Sequence, residues 1–254
     1  MTGRLGQRHA DILEAIMFCA ERRKDENDGI RLLIDPAEVR KVMGEHHSQA
    51  GNLCRYSLEQ CWTLLKELTA ANVDVDAPGK RISGGIVAHH EYTKSITKAD
   101  PLTGGHRRLW TVKLGKAWVE LMKLDMIASG NPAPIARLEH GITKAVARFM
   151  LTHSPQHQPN GGWTLDRVIE AVAGELDTTG MKNARRHLRA EARALRGLGI
   201  EIDGSRVRLV SQPPDLVSQP PGGVTAAHGP LGISGSLEPE QAALAAAQAQ
   251  AQPP

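Results

Sequence analysis

Two stripes at helical spacing run through residues 181–198. Met181, Ala184, Leu188, Ala192, Leu195 and Leu198 form an apolar line; Lys182, Arg185, Arg189, Arg193 and Arg196 form a basic one, with Arg186 beside it. At ~100° per residue the stripes lie well over a quarter turn apart, so the segment buries one face and offers the other to solvent or to an anion. From Lys182 to Arg196 the basic stripe runs fourteen residue steps, roughly 21 Å at ~1.5 Å rise, the reach of a helix laid into or across a major groove. A hairpin follows: residues 200–209 alternate around Asp203-Gly204, a pair suited to a tight turn. An Arg-rich helix face is a common solvated surface when it stands alone. Its place as the third helix before a hairpin favours duplex DNA.

The preceding segments fill in that order. Ile142, Ala145, Val146, Phe149 and Met150 mark one helix, and Thr164 caps a second carrying Leu165, Val168, Ile169 and Val172. The same order is expected earlier in the chain. Leu13, Ile16, Met17 and Ala20 predict a helix over 8–24, and residues 30–34 a short strand. Asp35-Pro36-Ala37-Glu38 and Ser57 to Gln60 are helix starts of the capping-box kind. Leu58, Cys61, Trp62, Leu65 and Leu68 form the apolar stripe of the helix after Ser57, and 45–56 reads as loop. Two β-rich runs, 82–96 and 107–114, flank a turn-rich tip at 100–105, and a helix over about 116–127 leaves the domain. Residues 129–134 are a linker by composition. The expected fold is mostly α with small β-hairpin wings: a winged-helix domain over 1–130, a second over 135–210, and a disordered Pro/Ala/Gln-rich tail over 211–254.

Charge placement agrees with this reading. Net charge is only +3, but residues 136–210 hold twelve Lys or Arg against eight Asp or Glu, and none of the Lys or Arg lies after 210. Such a local basic excess is what a phosphate-binding surface needs. On the basic helix, Lys182, Asn183, Arg185 and Arg186 are placed to reach base edges, while Arg189, Arg193 and Arg196 are suited to phosphates. Arg206 and Arg208 alternate with Val207 and Leu209 and face away from the core, either toward DNA or as edge protection. In the first domain the third helix presents Glu59, Gln60, Thr63, Lys66 and Glu67, a near-neutral face. Its cations, Arg55, Lys94, Lys98, Arg107 and Arg108, sit mainly on the hairpin, where auxiliary DNA contact, a protein contact or plain solvation all remain open.

Other chemistries find little support. Cys19, Cys54 and Cys61 are odd in number and form no CxxC pair, which suits reduced thiols in the cytosol. No apolar run approaches a membrane span, and the first residues lack the apolar segment of a secretory signal. The neighbours His89 and His90 would point to opposite faces of a strand and would not share a metal. With no phosphate-binding glycine loop, carboxylate pair or nucleophile elbow, neither catalysis nor a cofactor is expected. A nicking enzyme built on Tyr92 or Tyr56 stands as the one catalytic alternative.

At this point the chain resembles a known family. "ITKAVARFMLTHSPQHQPNGGWTLDRVIEAVAG" followed by "KNARRHLRAEARALRGLGIEIDGSRVRLV" is similar to the DNA-binding domain of theta-type plasmid replication initiators with tandem winged helices, the TrfA-like proteins in particular. "DILEAIMFCAERR", "DPAEVRKVMG" and "YSLEQCWTLLKELTAANVDV" are similar in order to the family's first domain. The resemblance covers roughly residues 8–210. It implies binding to repeats (iterons) in double-stranded DNA at a plasmid origin, help in opening the origin, and recruitment of the host initiator and replicative helicase. It also implies self-association between monomer and dimer, with the first domain at the interface. On this resemblance Lys182, Arg185, Arg186, Arg189 and Arg193 fall on the recognition helix. A transcriptional repressor of the same fold is the alternative.

Overall fold

The computed structural model describes residues 5–48, 51–54, 56–77, 79–99, 104–123 and 130–210. The side chains of 45–54 and 93–95, most of the tip expected at 100–105, the end of the helix expected over 116–127 and the tail expected over 211–254 lie outside the described residues. Buried apolar side chains fall into two clusters, one running from Ile12 to Leu114 and the other from Ile135 to Leu209.

The first cluster is enclosed by α1 (Gln7–Phe18), β1 (Ala20–Glu26), β2 (Gly29–Ile34), α2 (Pro36–Val42), β3 (Glu45–Ser48), β4 (Gly51–Cys54), α3 (Leu58–Ala70), β5 (Asn72–Ala77), β6 (Lys80–Gly85), β7 (Val87–Ala99), β8 (His106–Gly115) and α4 (Lys116–Lys123). Both expected helix starts form, but only the second closes the expected capping box; at the first, Glu38 turns to Lys41 Nζ at 2.9 Å instead of back to Asp35. Asp35 Oδ1 accepts the Ala37 N–H at 2.9 Å with Pro36 at the first position. Ser57 and Gln60 close a reciprocal box, each side chain accepting the other's backbone N–H, at 3.1 and 2.8 Å. Helix α3 buries Cys61, Leu64, Leu65 and Leu68. Leu58, expected in that stripe, is 41% exposed at the first helical position.

The expectation of a mostly α fold is overturned: the fold is mixed α+β. An antiparallel four-stranded sheet, in the order β1-β2-β8-β7, dominates the first half, and two further hairpins, β3-β4 and β5-β6, flank α3. The helix expected over 8–24 ends at Phe18, and Ala20–Glu26 pairs along β2 instead. Nothing alternates in Glu21, Arg22, Arg23, Lys24, Asp25 and Glu26, so no strand signal exists there. The strand forms because β2 offers a ladder, and its charges suit an edge that should not recruit another chain. Cross-strand ion pairs reinforce it: Arg31 and Lys113 both reach Glu26, at 2.9 and 3.0 Å. The run read as 82–96 divides at Ile86, its first part folding back on β5 and the rest pairing with β8.

The second cluster is enclosed by α5 (Ala133–Ala136), α6 (Gly141–Leu151), a 3₁₀ turn (Pro155–His157), β9 (Trp163–Thr164), α7 (Leu165–Ala173), α8 (Thr178–Ala190), α9 (Ala192–Gly197), β10 (Ile200–Asp203) and β11 (Arg206–Leu209). The hairpin closes at Gly204, whose φ of 55 suits glycine, and β9 adds a third strand beside β11. Close approach at β9 depends on Gly162. Its φ is +79, and a Cβ there would lie 2.3 Å from the Val207 carbonyl oxygen. Gly162→Ala is therefore expected to lose at least about 1–3 kcal/mol in chemical denaturation, the cost of the left-handed backbone before any clash. A midpoint within error of the parent would contradict that packing.

The segment read as a linker is only partly one. Ala133, Ile135, Ala136 and Leu138 are buried, and α5 packs against α1. Beside it lies an ion-pair cluster between the halves. Asp11 of α1 has no exposed surface, and its carboxylate accepts from Lys144 Nζ at 2.5 Å and Arg148 Nη2 at 2.8 Å. Arg148 forks onto both oxygens of Glu14 at 2.7 Å and reaches Gln7 Oε1 at 2.6 Å, while Lys144 also donates to the Ala136 carbonyl at 2.9 Å. Burial alone would pull the Arg148 guanidinium down, but Glu14 and Asp11 outweigh it and hold it above its ordinary value.

Candidate nucleic-acid interface

Helix α8 starts earlier than its stripes suggested. Asp177 caps it, Oδ1 accepting the Gly180 N–H at 2.7 Å, so Lys182 lies in the second turn rather than at the tip. Ala184 and Leu188 are buried against α6 and α7. Lys182, Arg186 and Arg189 project from the opposite side, are exposed, and have no hydrogen-bond or ion-pair partner among the described residues. Asn183 is half-buried on one flank and Arg185 on the other.

The basic stripe does not continue as one straight rod. The helix breaks at Glu191 and resumes as α9, which carries exposed Arg193 and Arg196. The Glu191 side chain turns back to the start of α6. There its carboxylate accepts the Glu139 N–H at 2.6 Å and meets His140 Nδ1 at 3.0 Å. Burial pushes this carboxyl up, but the backbone N–H and His140 contacts outweigh it and hold it below the ordinary range. His140 in turn stacks on His187 of α8, ring centroids 3.8 Å apart. Helix α6 thus fixes one flank of α8 by stacking and its end by a charge.

Four of the expected arginines are not free. Arg185 places Nε on Asp166 Oδ1 at 2.7 Å and Nη2 on Oδ2 at 2.6 Å, tying α8 to the first turn of α7. That guanidinium holds the Asp166 carboxyl below its usual value. On the hairpin, Glu201 is shared by Arg208 at 2.5 Å and Arg196 at 3.5 Å. Arg206 and Arg208 do face outward while Val207 and Leu209 are buried, and Arg206 donates to the Gly162 carbonyl at 3.2 Å.

In the first half, Lys98 and Arg107 have a structural task. The Asp35 carboxylate that caps α2 is fully buried, and Arg107 Nη2 lies 3.1 Å from it. Lys98 sits 3.9 Å from the same oxygen and 2.5 Å from Glu21. Both cations offset a buried negative charge, which sequence order alone did not reveal. Arg108 is exposed opposite Thr97; Arg55 and the side chain of Lys94 lie outside the described residues.

The remaining candidates separate. His89 is exposed and pairs with Glu91 at 3.4 Å, whereas His90 meets Thr69 at 2.9 Å and packs on Trp62. Among the described residues no group of three His, Cys, Asp or Glu is placed to hold a metal. Tyr56 is buried and Tyr92 is half exposed beside Trp62. Burial, with Glu38 and Asp35 nearby, pushes the Cys19 thiol up to about 12, which makes it a poor nucleophile. No helix among the described residues is long and apolar enough to cross a membrane. Comparison with protein-family models, curated proteins and solved structures returned no match, so the functional reading rests on the geometry of α8 and its surroundings.

Proposed function

We propose that the chain is a sequence-specific duplex-DNA-binding protein that initiates plasmid replication by binding repeats at an origin. The observation that carries the DNA-binding part is the exposed trio Lys182, Arg186 and Arg189, on the side of α8 opposite its buried face and with no carboxylate in hydrogen-bond or close ion-pair contact among the described residues. Unpartnered cations at helical spacing meet successive phosphates and groove edges without first breaking an internal ion pair. The initiator part rests on the resemblance of residues 8–210 to theta-type initiators. With it come self-association, contact with the host initiator and replicative helicase, a cytoplasmic location and no catalytic step by this chain.

Footprinting of the full chain at physiological salt, on DNA from around its own gene, tests this reading. Protection of several evenly spaced direct repeats, about one or two helical turns apart, is the expected result. Protection of a single inverted repeat would replace initiation with repression. No specific protection would remove sequence-specific binding altogether.

A further inference from the structure

We infer that Asp166 is a positioning residue, holding Arg185 side-on so that the guanidinium's outer edge reads a guanine in the major groove. The inference rests on the DNA-binding reading and adds a specificity determinant to it. A guanidinium has five N–H donors in a rigid plane. Asp166 takes the Nε hydrogen and one Nη2 hydrogen. The second Nη2 hydrogen and both Nη1 hydrogens have no partner among the described residues. The parallel pair along the Nη1–Nη2 edge matches two acceptors side by side. Guanine presents that pattern through O6 and N7, whereas adenine offers one acceptor and one donor.

Placement and order both favour this use. Arg185 lies on α8 between the buried Ala184 and the free Arg186, at the rim of the cationic face. Its side chain keeps 39% of its surface exposed while fixed at two points. A long side chain ordered before binding loses less rotamer freedom on contact. Lys182, Arg186 and Arg189 lack any such support, which suits phosphate contacts that tolerate several geometries. Asp166 is itself well placed, because a carboxylate in the first turn of α7 is favoured by the helix dipole.

A bare surface ion pair would behave differently, and the chain supplies one for comparison. Arg81 meets Asp74 through the same two nitrogens on the β5-β6 hairpin. That hairpin is remote in sequence from α8, and Asp76 adds more negative charge beside it.

The test uses the full chain and three duplex probes: the footprinted site, the same site with each guanine replaced in turn, and a random sequence. Asp166→Ala is expected to weaken binding to the preferred site by roughly 5- to 150-fold, the range of one bidentate base contact. It should erase the preference for one guanine and leave random-sequence binding equal or tighter, since a negative charge has gone. Arg185→Ala should lose the same guanine preference, and the double variant should lose little more. Asp74→Ala should leave the preference intact. Should Asp166→Ala melt early, Asp166→Asn retains one acceptor and is expected to lose part of the preference with the fold preserved. If Asp166→Ala tightens preferred and random duplexes alike with guanine preference kept, Asp166 is a brake on Arg185 and the inference fails. Absence of duplex binding by the unaltered chain would instead overturn the DNA-binding reading as well.

Discussion

Asp11→Ala is expected to cost about 3–5 kcal/mol of unfolding free energy, the usual penalty for removing one partner of a buried ion pair. Asp11 has no exposed surface, and Lys144, whose ammonium it holds, is 4% exposed. Without Asp11 that ammonium keeps the Ala136 carbonyl but loses the carboxylate 2.5 Å away, at a site almost closed to solvent. Arg148 retains Glu14 and Gln7, so the loss falls mainly on Lys144. Urea denaturation followed by far-UV circular dichroism measures it, and a change under about 1 kcal/mol would mean the cluster is open to solvent. A second variant separates pairing from burial. Asp11→Leu combined with Lys144→Met removes both charges, and apolar replacement of a buried pair is often close to neutral. The cluster also joins α1 to the helix that supports α8, because α6 packs on both.

Features written in adjacent residues are legible in the sequence alone. Asp35 with Pro36, Ser57 with Gln60, and Asp203 with Gly204 each specify a cap or turn through neighbours within three residues, and each forms accordingly. The alternation that turns Arg206 and Arg208 outward is of the same local kind. What local pattern misses depends on distant partners. β1 is a strand only because β2 lies beside it, and no hydrophobic pattern marks a run of six charged residues. Glu191 sits in good helical sequence, yet its carboxylate is drawn to backbone N–H groups some fifty residues earlier. The same limit governs the candidate site. Residue type nominates Lys98, Arg107 and Arg185 equally with Arg186 and Arg189. Only the placement of Glu21, Asp35 and Asp166 separates cations already committed from those still free. The polar face of α1 carries Gln7, Asp11 and Glu14 at i, i+4 and i+7, spaced to meet Lys144 and Arg148. A partner helix is needed to give that spacing meaning.

Replacing Lys182, Arg186 and Arg189 together by alanine is expected to flatten the salt dependence of duplex binding more than any other change. Each phosphate contact on B-DNA contributes about 0.9 to the slope of log affinity against log salt, so three contacts contribute about 2.7. Between 50 and 200 mM salt that slope alone accounts for roughly 40-fold in affinity. The variant should therefore differ most from the parent at low salt and converge on it as salt rises. Alanine is the best helix former, and all three positions are exposed opposite the buried face, so α8 should persist and melting should be little changed. Loss shared equally by preferred and random duplexes assigns the trio to phosphates; loss confined to the preferred site assigns one of them to a base. An unchanged slope would show that α8 does not face the DNA. Of the other candidate cations, the exposed Arg193 on α9 and Arg108 on β8 would then be the next to test.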